Sequence, residues 1–252
     1  MIGLWWAAAA EATWSVVAVD PDSREVGVAG ATCGPFVWMI GEVAPGHGAV
    51  AAQYATNLAA EREAADLLAA GTPPDEVLAA ITDPAFDEEP EIRQYGIASL
   101  DGPAVAYTGA DNDSPALSAT GDTWTVQGNT LASEAVVTEA AAAFEASEGQ
   151  PLAERLLRAM EAGAAAGGDA RCDPEQAAKS AFVFVARPGD RPGNPWLEAR
   201  TSSVLNGDDP VDRLREEVER KLDRSGCATG PGSAVAAALG LLAARRRRTD
   251  PR

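Results

Sequence analysis

The chain has one histidine, His47, in 252 residues. A histidine-based catalytic triad and a multi-histidine metal site are therefore set aside. Cysteine is scarce as well: Cys33, Cys172 and Cys227, with no CxxC pair and hence no zinc-ribbon spacing. Basic residues number 20 against 38 acidic, a formal net charge of −18. Nucleic acid is not expected as a partner, because phosphate binding needs a basic face. The glycine loop Gly167-Gly168-Asp169-Ala170-Arg171-Cys172 is not followed by Gly-Lys-Ser/Thr, so it is no phosphate loop. No metal or organic cofactor is expected.

What is present is an ordinary globular composition, 46% hydrophobic and 23% charged. Alternation and β-branched residues predict strands over 13–19, 25–31, 46–53, 94–100, 104–108, 124–127, 180–186 and 197–202. Helices are expected over 58–70, 131–146, 152–165 and 211–222, and a further one entered at Thr72 as N-cap with Pro73 in its first turn. Strands and helix pairs come in blocks rather than in strict alternation. A mainly antiparallel sheet system covered by helices follows.

Both ends read as export signals. Residues 2–10 are apolar and lead to Ala10-Glu11-Ala12, a small-x-small cleavage site. The basic segment that normally precedes such a run is missing, and the stretch is read as the remnant of a signal peptide, 1–12. At the other end Ser225-Gly226-Cys227 precedes an apolar run ending at Ala244, then four arginines, Arg245 to Arg248. Counted from Ala228, the run reaches marginal spanning length, and the arginines would stay cytoplasmic. This 225–252 tail resembles the myxobacterial C-terminal sorting signals. That resemblance makes Cys227 the processing or lipid-attachment point and the tail the chain's only membrane contact. The alternative is an amphiphilic terminal helix with a basic end. In an exported protein Cys33 and Cys172 are candidates to pair; in a cytosolic one both are buried thiols.

Cleavage after Ala12 leaves Thr13 first. A threonine hydroxyl needs a base, and a terminal α-amine, with a pKa of about 7.7–8.0, is one. Such a chain runs acyl transfer without histidine. Ser15 lies on the same strand face as Thr13 and can hydrogen-bond the amine. Gln127-Gly128-Asn129 leaves a strand, where Gly128 admits a ligand and Asn129 can donate to an oxyanion. Thr108 and Gly109 form a similar strand end. Gln53 and Asn57 bracket another strand-to-helix turn, and Arg93 can clamp a substrate carboxylate. Asp169 and Arg171 can border a pocket. Each has a plainer use in a turn or a surface ion pair.

The ordered set Thr13-Trp14-Ser15-Val16-Val17-Ala18-Val19-Asp20-Pro21, Glu25 to Cys33, Gly48 to Gln53, Arg93-Gln94-Tyr95-Gly96, Tyr107-Thr108-Gly109, Val126-Gln127-Gly128-Asn129, Gly167-Gly168-Asp169 with Arg171-Cys172, Lys179 to Phe182 and Asp209-Pro210-Val211 resembles the bacterial family called domain of unknown function 1028, grouped with the N-terminal-nucleophile hydrolases. The resemblance implies an α+β fold, a four-layer αββα sandwich over 13–224, and matches Thr13 to the family's Thr-aromatic-Ser start. One departure is the stretch 110–121, which has neither the cysteine nor the histidine that exported relatives carry there.

The expected function is that of an exported amidohydrolase, periplasmic or at the cell surface. Thr13 is its nucleophile, and Gln127, Gly128 and Asn129 border the oxyanion. Its expected partners are a small-molecule or peptide amide substrate and a second copy of the chain as a homodimer. The alternatives are a non-catalytic surface binding protein on the same fold and an acidic structural module.

Overall fold

The computed structural model describes residues 13–173, 176–203 and 209–226. Its chain order is β1 (Thr13–Asp20), β2 (Glu25–Thr32), β3 (Gly41–Ala44), β4 (Gly48–Tyr54), α1 (Leu58–Ala69), α2 (Pro74–Ile81), β5 (Arg93–Ser99), β6 (Gly102–Thr108), β7 (Leu117–Thr120), β8 (Trp124–Asn129), α3 (Ala135–Ala146), α4 (Leu152–Ala165), β9 (Ser180–Ala186), β10 (Leu197–Ser202) and α5 (Pro210–Gly226). The strands form two antiparallel sheets, of order β10-β9-β2-β1-β8-β7 and β3-β4-β5-β6.

Period-two alternation sorts the side chains into three packed layers. Trp14, Val16 and Ala18 of β1 pack with Trp124 and Val126 of β8 under α3, α4 and α5. Val17 and Val19 turn the other way and meet Ala49 and Ala51 of β4 between the sheets. Val50 and Ala52 of β4, with Tyr95 and Ile97 of β5, pack beneath α1 and α2. The odd-numbered residues of β1, β4 and β8, and the even-numbered ones of β5, therefore face the space between the sheets.

Asn57 caps α1, its Oδ1 accepting from the N–H groups of Ala59 and Ala60 at 3.1 Å. Two expected helix starts move. Pro73, not Thr72, is the N-cap of α2, and Pro74 is in the first turn. The helix expected from Leu131 begins at Ala135. Leu131 is instead bridged to Asp169, and Thr130 before it has φ +50°. Strands β3 and β7 were not expected; both are four-residue edge strands, too short for a periodic signal. Among the described residues no helix is long and apolar enough to cross a membrane. Residues 1–12, Cys227 and the arginine-ended tail lie outside them.

Candidate functional site

The space between the sheets is apolar at one end and polar at the other. Thr13 opens β1 at the polar end, opposite Thr32 of β2 on one side and Asn129 of β8 on the other. All three are buried. Ser15, two residues on, faces the second sheet, and its Oγ donates to Gln53 Oε1 at 2.7 Å.

From this bond a chain of carboxamides extends both ways. Gln127 Nε2 donates to Ser15 Oγ at 2.5 Å, and Thr125 Oγ1 donates to Gln127 Oε1. Gln53 Nε2 donates to Gln94 Oε1 at 2.7 Å and to the Thr13 carbonyl at 3.3 Å. Gln94 Nε2 donates to Thr108 Oγ1 and to the Gly128 carbonyl, each at 2.9 Å. Asn129 Nδ2 also donates to Gln94 Oε1, at 2.9 Å, while Asn129 Oδ1 has no partner. Six buried polar side chains and the half-buried Thr108 thus form one connected layer, and Gln53 reaches from them to the backbone of Thr13.

A second cluster stands behind Thr32. Gly167 and Gly168 end α4 with φ of +110° and +58°, a left-handed pair that only glycine adopts readily. That turn brings Asp169, 2% exposed, against the end of β2. Asp169 Oδ2 accepts from the Cys33 N–H at 2.6 Å and from Arg171 Nη2 at 2.9 Å; Oδ1 accepts from the Arg171 N–H at 2.9 Å. Arg171 Nη2 also donates to Thr32 Oγ1 at 3.3 Å. Cys33 and Cys172 form a disulfide, with Cα atoms 5.5 Å apart, that ties the same two segments together.

Thr13, Ser15, Gln53, Thr108, Gln127, Gly128, Asn129, Asp169 and Arg171 are therefore gathered at one end of the sheets. Two roles change. Arg93, expected to clamp a substrate carboxylate, holds the carboxylate of Asp87 instead, through Nε at 2.6 Å and Nη2 at 3.1 Å, and its Nη1 donates to the Ala55 carbonyl. The Arg93 pairing, with a further bond from Asn57 Nδ2, holds the Asp87 carboxyl down at about 2. Asn129, expected as an oxyanion donor, gives one of its two Nδ2 protons to Gln94 Oε1. Gly109 sits in a turn, its N–H donating to the Arg93 carbonyl and its own carbonyl accepting from Asn112 Nδ2.

Sequence reasoning missed Gln94, the hub of the network, and chose its neighbour Arg93. The available signal was a glutamine inside an otherwise apolar strand, since buried polar side chains are the informative exceptions. Thr32 and Thr125 were hidden by their ordinary strand propensity. Two non-glycine residues with positive φ, Tyr54 (+70°) and Thr130 (+50°), directly follow Gln53 and Asn129, and backbone strain of this kind gathers at functional sites. Burial and the Asp113 side chain push the Tyr54 hydroxyl upward. Two surface clefts are present: one of about 410 Å³ beside Glu161, Gly167 and Asp212, on the outer side of the glycine turn, and one of about 600 Å³ among Asp20, Asp122, Glu148 and Arg155, at the far end of β1.

A family model described as a family of unknown function (DUF1028) matches residues 13–214. Among solved structures, protein SPO2555 from Silicibacter pomeroyi, described with the same family model, is similar over 87% of each chain, with a TM-score of 0.70 and 26% identity. No curated protein matches the chain.

Proposed function

The chain belongs to the DUF1028 family, and from that premise we propose that it is an exported N-terminal-nucleophile hydrolase that cleaves an amide bond, on the αββα sandwich of that class. The observation that carries the reading is the setting of Thr13. It is the first residue of a central strand, and buried Thr32, Asn129 and Gln53 converge on it. Cleavage after Ala12 turns its peptide nitrogen into an amine. The amine takes the hydroxyl proton as Oγ1 attacks the substrate carbonyl. The tetrahedral intermediate collapses, the proton passes to the leaving nitrogen, and an acyl-threonine ester remains. Water, deprotonated by the same amine, hydrolyses the ester and restores Thr13.

The Cys33–Cys172 disulfide supports export, because disulfides persist in oxidising compartments. In this reading the C-terminal tail is the surface anchor. The test begins with the mature N-terminus, by intact mass and terminal sequencing. A chain starting at Thr13 with a free amine is expected. Thr13→Ala should then abolish turnover in an amide-substrate screen while leaving thermal unfolding unchanged. A mature chain that starts elsewhere overturns the mechanism. The second reading, a non-catalytic binding protein, is favoured by one observation: the cleft of about 600 Å³ beside Asp20 lies at the opposite end of β1 from Thr13. It predicts that Thr13→Ala keeps full ligand affinity and that the wild type turns nothing over.

A further inference from the structure

The orientation of every carboxamide in the buried layer is fixed by its neighbours, and the consequence falls on Asn129. Gln94 has two backbone carbonyls on one side, Gly128 at 2.9 Å and Leu117 at 3.4 Å. Carbonyls only accept, so the Gln94 nitrogen must face them and its Oε1 must face inward. That oxygen already receives Gln53 Nε2, and Asn129 meets it with Nδ2. The Asn129 oxygen is thereby turned away from the network. It is an acceptor on a residue with no exposed surface, and it has no donor. A buried acceptor left in that state costs about 1–3 kcal/mol.

Asn129 stands directly opposite Thr13 in the antiparallel ladder, and both side chains face the space between the sheets. An internal residue 13 has one N–H. A terminal one has an ammonium with three, or a neutral amine with two N–H groups and a lone pair. We propose that Asn129 Oδ1 accepts a hydrogen bond from the α-amine of Thr13 and orients it as the catalytic base. The proposal rests on the hydrolase reading above. An N–H held by Oδ1 leaves the amine lone pair free to turn toward Thr13 Oγ1. The neutrality of the amide matters as much as its position. A carboxylate there would hold the amine as ammonium and remove the base at neutral pH. Asn129 is then a positioning residue.

The test uses mature protein beginning at Thr13, with Asn129→Asp and Asn129→Leu. The proton affinity of the α-amine is read by competitive labelling with trace acetic anhydride across pH, followed by mass spectrometry of the N-terminal peptide. Asn129→Asp is expected to raise the amine pKa by about one unit or more. Amide hydrolysis at pH 7 should fall about tenfold and recover at higher pH. Asn129→Leu is expected to lower the amine pKa, because it offers no acceptor to the ammonium. If either variant fails to unfold cooperatively, the other carries the test alone. An amine pKa unchanged in a folded variant overturns the contact, even where hydrolysis persists and the hydrolase reading stands. The expected pKa shifts without hydrolysis of any amide leave the contact in place and overturn the hydrolase reading. A mature chain that does not begin at Thr13 overturns both.

Discussion

Ser15 of the six-stranded sheet donates a buried hydrogen bond to Gln53 of the four-stranded one, Oγ to Oε1 at 2.7 Å. The hydroxyl also accepts from Gln127 Nε2, so it relays one direction of bonding from the six-stranded sheet to the four-stranded one. Gln53 then fixes both Gln94 and the Thr13 carbonyl. The Thr13 carbonyl is one end of this relay.

Ser15→Ala removes a donor from Gln53 and an acceptor from Gln127 at once. Two buried carboxamide atoms are left unpaired, and a loss of about 2–4 kcal/mol is expected. Urea unfolding measures it. Any amide hydrolysis should fall as well, since Gln53 is freed to rotate. A loss below about 0.5 kcal/mol would show that water replaces the hydroxyl without cost.

Much of this layer was legible from the sequence through strand alternation. Thr13 and Ser15 share a face by period two, and the β1–β2 hairpin follows from the turn cluster at residues 20–23. The partner strands were not legible. Nothing local says that β1 lies between β2 and β8, or that Gln53 and Gln94 come from the opposite sheet. Those pairings are set by packing across long sequence separations. Arg93 shows the limit most clearly. A guanidinium before a strand reads equally as a ligand clamp or an ion pair, and only the placement of Asp87 beside it decides.

Gly96→Ala tests the same layer by filling it. A Cβ at Gly96 would overlap the Gln127 carboxamide. Overpacking of this kind costs about 1–3 kcal/mol. The double variant with Gln127→Ala should recover part of that loss, because the overlapping group is gone. A double-mutant cycle on thermal unfolding reads the coupling, and strict additivity would mean that the two positions do not meet.

Reduction of the Cys33–Cys172 disulfide should act on the site as well as on stability. The bridge closes a separation of 139 residues, and losing such a bridge typically costs about 2–4 kcal/mol. It also frees the segments that carry Asp169, Arg171 and Thr32. Cys33→Ser with Cys172→Ser should lower the unfolding midpoint and make the wild-type protein's sensitivity to dithiothreitol disappear. Equal sensitivity in the variant would place the reductant's effect elsewhere.

Glu61 supplies a pH dependence of unusual sign for a carboxylate. It lies on the inner side of α1, 6% exposed. Burial first, and the neighbouring Glu42 carboxylate second, push its carboxyl up from 4.5 to about 8, with Arg62 opposing. Between those values the folded chain binds a proton that the unfolded chain has released. The contribution of this group to stability is therefore complete below about 4.5 and is lost as pH rises to about 8. Glu61→Gln keeps the neutral form at every pH. It should leave stability at pH 4 nearly unchanged and raise it at pH 8 by about 2–4 kcal/mol. Chemical denaturation at both pH values measures the difference. Equal effects at pH 4 and pH 8 would show that folding does not raise the Glu61 carboxyl, with Arg62 offsetting burial and Glu42.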